Sequence, residues 1–94
     1  MNVQWSVVVK RKLLKQLDQL PKAVRASIVA LIKEIECYGP IRGNWPNYGQ
    51  LSNSRHHCHL KKGQPTYVAI WKVKDKPLKL VEFIYAGTHE KAPY

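Results

Sequence analysis

Residues 55–85 read RHHCHLKKGQPTYVAIWKVKDKPLKLVEFIY, and three strand signals lie end to end within them. Arg55 to Lys61 is the first, Thr66 to Val73 the second and Leu78 to Tyr85 the third. The second and third are rich in β-branched and aromatic residues, which suit a pleated, half-buried surface. Lys62-Gly63-Gln64-Pro65 and Asp75-Lys76-Pro77 join them. Connections that short, with Gly and Pro in them, suit antiparallel hairpins.

Working outward, Val3, Trp5, Val7 and Val9 alternate with Gln4, Ser6 and Val8. That period of two predicts a further strand over about residues 2–9. A basic helix follows, with Leu13, Leu17 and Leu20 at helical spacing, Leu14 beside them, and Lys10, Arg11, Lys12 and Lys15 on the flanks. Pro21 ends this helix and suits the first turn of another. In the second helix Val24, Ile28, Leu31 and Ile35 make one apolar stripe, widened by Ile32. It stops at Tyr38-Gly39-Pro40, where Gly caps and Pro forbids continuation. Residues 40–53 are dense in turn formers and read as a loop. The expected order is β-α-α-β-β-β: an α+β domain over residues 1–94, an antiparallel sheet with a helix hairpin on one face and the other face left for a ligand.

Ninety-four residues suit one domain, and 45% hydrophobic with 23% charged residues is ordinary globular composition. Sixteen Lys and Arg against six Asp and Glu give a net charge of +10. Such self-repulsion points to an anionic partner, nucleic acid first, then an acidic protein, then an anionic membrane surface. No apolar run is long enough to span a bilayer, and no membrane association is expected. Met1-Asn2-Val3-Gln4-Trp5 lacks the pattern of a signal peptide. Cys37 and Cys58 form no Cys-x-x-Cys pair, so reduced thiols in a cytoplasmic protein are the expectation.

The densest chemical feature is Arg55-His56-His57-Cys58-His59-Leu60-Lys61-Lys62. On a strand, Arg55, His57, His59 and Lys61 share one face, and His56, Cys58 and Leu60 share the other. The first set makes a row about 20 Å long, a track for a phosphate backbone. A charged strand of this kind is more often a solvated edge. Zinc on His57-Cys58-His59 is disfavoured, because Cys58 faces away and only His89 and distant Cys37 remain to complete a site. His89 follows the last strand in Gly87-Thr88-His89; a turn at Gly87 would aim it back over the sheet toward His59. Alone it reads as a surface histidine. Tyr94, Trp45 and Tyr48 offer stacking surfaces for bases, whereas Trp5 and Trp71 read as core.

No Ser-His-Asp spacing, phosphate-cradling glycine loop or paired carboxylates appear. Six acidic residues argue against a two-metal nuclease. RNA cleavage without a metal or other cofactor needs a base for the ribose 2′-OH, an acid for the leaving 5′ oxygen and cations for the phosphorane. His59 and His89 with Lys61, Lys62 and Arg55 form a sufficient kit, since histidine serves in either role near neutrality.

Leu51, the run Arg55 to Lys61, Tyr67-Val68-Ala69-Ile70-Trp71 and the closing Ile84-Tyr85-Ala86-Gly87-Thr88-His89 to Tyr94 together resemble the RelE/ParE superfamily of bacterial toxin–antitoxin toxins, end to end. The Gly-Thr-His form is similar to the YafQ-like and HigB-like branches. The resemblance implies a ribosome-dependent endoribonuclease (an mRNA interferase) with mRNA on the ribosome as substrate. It also implies a neutralising, acidic antitoxin laid over the basic face. Carried over by position, His59, Lys61, His89 and Tyr94 are its catalytic residues. His59 as base and His89 as acid is the preferred order; the reverse stays open. Lys61 and Arg55 would stabilise transition-state charge, and Lys62 and His57 would hold the RNA backbone. Val68 stands where the family often has Arg. Two other readings share the resemblance: a ParE-like inhibitor of DNA gyrase without nuclease chemistry, and a non-catalytic RNA-binding homologue.

Overall fold

The computed structural model describes residues 4–61 and 65–94. The expected start of the first strand at residues 2–3 and the connection Lys62-Gly63-Gln64, with the candidate backbone contact Lys62, lie outside the described residues. The element order is β1 (Ser6–Val9), α1 (Arg11–Gln16), a 3-10 turn (Leu17–Gln19), α2 (Lys22–Tyr38), β2 (Gly49–Gln50), β3 (Arg55–Lys61), β4 (Tyr67–Asp75), β5 (Leu80–Thr88) and a closing 3-10 turn (His89–Lys91).

The fold is α+β, with a mixed five-stranded sheet in the order β1-β5-β4-β3-β2 and the helix hairpin on one face. Three of the four strand pairings are antiparallel; β1 joins β5 in parallel. Alternation reveals a strand's faces but not its direction, so the sequence could not show this pairing. Nor could it show β2. Its two residues, set among turn formers, pair with His57 and His56 and are too few to make a periodic signal.

The helices differ in quality. α1 has no side-chain N-cap and no acidic residue in its first turn. Lys10, Arg11 and Lys12 instead crowd the positive end of its dipole, which is unfavourable. It tightens into the 3-10 turn before Pro21, burying Leu13 and leaving Leu14 exposed. α2 buries the expected stripe of Val24, Ile28, Leu31 and Ile35. Each such side chain contributes about 1.5–3 kcal/mol over an exposed one. Gly39 ends α2 with a φ of +99°, and a Cβ there would lie 3.1 Å from the Trp5 indole nitrogen.

The helices rest on Cys58, Ala69, Trp71, Val81 and Phe83. A flat aromatic ladder crosses three strands within this core. His56 stacks on Trp71 (ring centroids 5.9 Å apart, planes 7° apart), and Trp71 stacks on Phe83 (6.2 Å, 12°). Trp71 is fully buried and its indole N–H donates to the Pro40 carbonyl at 2.9 Å. Trp5 is half-buried against the core but lies just before β1 rather than in a strand.

Candidate nucleic-acid interface

β3 splits its side chains as the alternation requires. His56, Cys58 and Leu60 are buried on the helix side, and Arg55, His57 and His59 face outward. Cys58 is fully buried, and burial pushes its thiol up to about 12, with Glu34 adding to the effect, so it is protonated and a poor nucleophile near neutrality. His56 is a core histidine: its Nδ1 is 2.7 Å from the Tyr48 hydroxyl, and burial pushes its pKa down.

The outward row breaks at its end. Between His59 and Lys61 the register slips, so that Lys61 pairs with Tyr67 while His59 pairs with Val68. A bulge of this kind re-aims the residues around it. Lys61 is exposed but does not continue the straight row that strict alternation required. Arg55 keeps its face but stands four residues from His59, about 13 Å at strand rise. At that spacing Arg55 lies along the strand from the His59–His89 pair rather than beside it.

β4 lies between β3 and β5, and the residues beside His57 and His59 are Ile70 and Val68. Both are fully buried although they face away from the helix-side core. They floor the site. Val68, where the resemblance calls for a cation, is therefore apolar floor. On β5 the matching positions are Tyr85 and Gly87.

From this floor the chain returns. The His89 backbone N–H donates to the Thr66 carbonyl at 2.8 Å, pinning the closing turn across the start of β4. The Tyr85 hydroxyl donates to the Thr88 carbonyl at 2.8 Å. Gly87 is needed here for room rather than for a left-handed turn, contrary to the sequence-based reason for it. A Cβ on it would meet the Tyr85 hydroxyl at 2.7 Å, and its φ is ordinary.

The outcome is a cluster of four rings. His59 and His89 meet edge to face at 5.7 Å. Tyr94 lies 5.3 Å from His89 and edge-on to His57 at 5.7 Å. A cavity of about 290 Å³ opens beside the histidine pair, lined by His59, Pro65, Thr66, Thr88, His89 and Glu90. Burial, then His59 and His89, push the pKa of His57 down, so it is neutral near pH 7 rather than a cation. Its Nδ1 is buried with no hydrogen-bond partner among the described residues. Partial burial, reinforced by Tyr85 and Cys58, pushes the Tyr94 phenol up, making it a donor and not a base near neutrality. Among the described residues no group of three or more His, Cys, Asp or Glu is placed to hold a metal ion.

Trp45 and Tyr48 are not free stacking surfaces. Both pack against the core; the Trp45 indole donates to Glu34 Oε1 at 3.0 Å, and Tyr48 partners His56. The loop they belong to serves the site indirectly. The Pro46 carbonyl accepts the His59 backbone N–H at 2.8 Å, and Gly49 lies against the His57 ring, where a Cβ would come within 3.0 Å of Nε2. Sequence reasoning missed Tyr85, Thr66 and Gly49 as supports. Tyr85 and Gly87 two residues apart on one strand face were the only signal available for them.

Strand order, helix hairpin and returning tail decide the comparison with solved structures. The chain has the RelE-like fold. A chain of the archaeal RelE–RelB complex from Pyrococcus horikoshii OT3 superposes over 98% of this chain and all of its own, with a TM-score of 0.68 and 19% identity. A double mutant of E. coli toxin RelE in the free state covers 94% of this chain and 86% of its own, with a TM-score of 0.69 and 18% identity. No protein-family model and no curated protein sequence matches the chain. The RelE-like likeness is thus carried by three-dimensional arrangement. The chain's own strand register places the four-ring cluster on the sheet face opposite the helices.

Proposed function

We propose that this chain is the toxin of a toxin–antitoxin pair, an endoribonuclease that cleaves mRNA on the ribosome and so stops translation in the cytoplasm. The observation that carries the reading is the approach of His59 and His89, 5.7 Å between ring centroids, from positions 30 residues apart in sequence. One imidazole takes the proton of a ribose 2′-OH as that oxygen attacks the adjacent phosphorus. The other gives a proton to the departing 5′ oxygen. The order with His59 as base is preferred. Paired proton transfer of this kind contributes about 10²–10⁴-fold each.

Tyr94 orients the nucleotide: its exposed ring lies between His57 and His89, where it can stack on a base or donate to a phosphate. Lys61, exposed two residues beyond His59 and turned out of its row by the bulge, carries the sequence-based assignment of charge for the phosphorane. Arg55 and His57 line the path of the RNA, the first as a cation and the second as a neutral group. Lys62 carries the sequence-based assignment of a backbone contact. The ribosome would supply the orientation that such an open site cannot supply alone. The partner is an acidic antitoxin covering the +10 chain; the RelE–RelB pairing of the archaeal structure supports this. No described helix is long and apolar enough to cross a membrane.

The test is primer extension on a reporter mRNA in a translating extract, with wild type and His89→Ala side by side and His59→Ala as a second variant. Discrete cuts within translated codons, lost in both variants with the fold intact, are expected. Undiminished cutting by both variants would overturn the histidine assignment. No cuts by the wild-type chain, together with inhibited DNA supercoiling, would replace the nuclease reading by gyrase poisoning.

A further inference from the structure

We infer that Arg55 and Lys72 form a phosphate-binding subsite for single-stranded RNA, set apart from the histidine pair; this rests on the RNA-cleaving reading above. Lys72 was not distinguishable in the sequence from the other lysines of 72–79. In the fold it is the residue directly opposite Arg55 across β3 and β4. Trp71, its neighbour, is in the core, so Lys72 faces outward on the same side as Arg55, His57 and His59.

Two like charges directly opposite on one sheet face destabilise the pairing. The neighbourhood does not cancel them. The nearest acidic group in the row is Glu82, opposite Lys72 on β5, and it forms an ion pair with Lys74 at 3.7 Å. Neither Arg55 nor Lys72 has an ion pair with a carboxylate among the described residues. Arg55, Lys72 and Lys74 against Glu82 leave two positive charges in excess. An anion bridging the two cations would relieve the repulsion that folding imposes.

The position of the pair selects RNA over an acidic protein. It is in line with His57 and His59 on one strand, about 13 Å from His59. That span is about four nucleotides of a stacked strand at ~3.4 Å rise, and fewer if the strand is extended. A strand whose scissile phosphate lies at His59 and His89 would pass His57 and Ile70 and bring a later phosphate to Arg55 and Lys72.

The experiment measures binding of a fluorescein-labelled eight-nucleotide 2′-O-methyl RNA, which cannot be cleaved, by anisotropy at several salt concentrations. Wild type, Lys72→Gln, Arg55→Gln and Lys72→Arg are compared. Each Gln variant should lower the slope of log K against log salt by about 0.7, the value for one phosphate contact on a single strand; Lys72→Arg should keep the wild-type slope. Neutralising single linkages as methylphosphonates should locate one phosphate whose loss weakens the wild type roughly two- to fivefold and the Lys72→Gln variant not at all. The thermal midpoint of Lys72→Gln should be unchanged or higher, because the repulsion is gone. An unchanged salt slope in Lys72→Gln would overturn the subsite and leave the cleavage reading standing. The same result with weakened binding of an oligo-aspartate peptide would reassign the pair to an acidic protein. A lowered slope in a chain that makes no cuts on the ribosome would keep the subsite and overturn the nuclease.

Discussion

Replacing Glu34 by Ala tests how the loop before β2 is held against the site. One carboxylate oxygen of Glu34 accepts three donors: Asn44 Nδ2 at 2.8 Å, Trp45 Nε1 at 3.0 Å and Arg42 Nη1 at 3.2 Å. Burial alone would raise its pKa, but these three donors outweigh burial and hold it below the ordinary carboxylate range. A hydrogen bond to a charged acceptor is worth about 1.5–3 kcal/mol. Here the side chain is 31% exposed and its Arg42 partner 14%. Screening therefore limits the ion pair to about 1 kcal/mol, and three donors on one oxygen do not add fully. Glu34→Ala should then lose about 2–3 kcal/mol of stability, and Glu34→Gln about 1, because the amide oxygen still accepts. The assay is urea unfolding with the slope checked for constancy. Because the folded pKa is depressed, the contribution is present above the unfolded carboxylate value and lost as pH falls through the folded one. The gap between wild type and Glu34→Gln should close in acid. A loss below about 0.5 kcal/mol for Glu34→Ala, the scale of an ordinary surface change, would refute the latch. The latch also bears on function, since Trp45 precedes the Pro46 carbonyl that holds the His59 backbone. Glu34→Ala should lower RNA cleavage several-fold without abolishing it.

His56 and His57 both have pKa values pushed down by burial, so the unfolded chain takes up protons first as pH falls below about 6.5. Stability should be full above that value and decline on acidification, and a His56→Phe or His57→Phe variant should show a shallower decline in melting experiments between pH 7.5 and 5.5. Gly87→Ala forces a methyl to 2.7 Å from the Tyr85 hydroxyl and should cost about 1–3 kcal/mol; Tyr85→Phe, which removes that oxygen, should recover part of the loss in the double variant. Cys58 should resist thiol reagents in the folded chain and react only at the rate of global unfolding, followed by mass spectrometry; rapid labelling under native conditions would contradict its burial.

Much of the fold was legible because its signals are local. Alternation in residues 55–61 assigned the faces of β3, and the spacing of Val24, Ile28, Leu31 and Ile35 assigned the buried side of α2. The turn chemistry at Gly39-Pro40 and at Asp75-Lys76-Pro77 punctuated the chain, although the last strand begins at Leu80 rather than at the expected Leu78 because residues 76–79 form the turn. β4 and β5 ran two or three residues beyond their expected ends, because ladder pairing continues where side-chain pattern has faded.

The candidate site was legible only as a list of residue types. The sequence by itself determined an α+β domain, a strongly basic surface and a histidine-rich strand with one face turned outward, since these follow from composition and a period of two. Tertiary structure decided which members of the list meet. Strand order put β4 between β3 and β5, and the His89–Thr66 hydrogen bond folded the tail across it. Those two non-local facts bring His59, His89 and Tyr94 together, while a one-residue bulge diverts Lys61 and strand length carries Arg55 away to Lys72. No local rule encodes them, because each depends on contacts between residues distant along the chain.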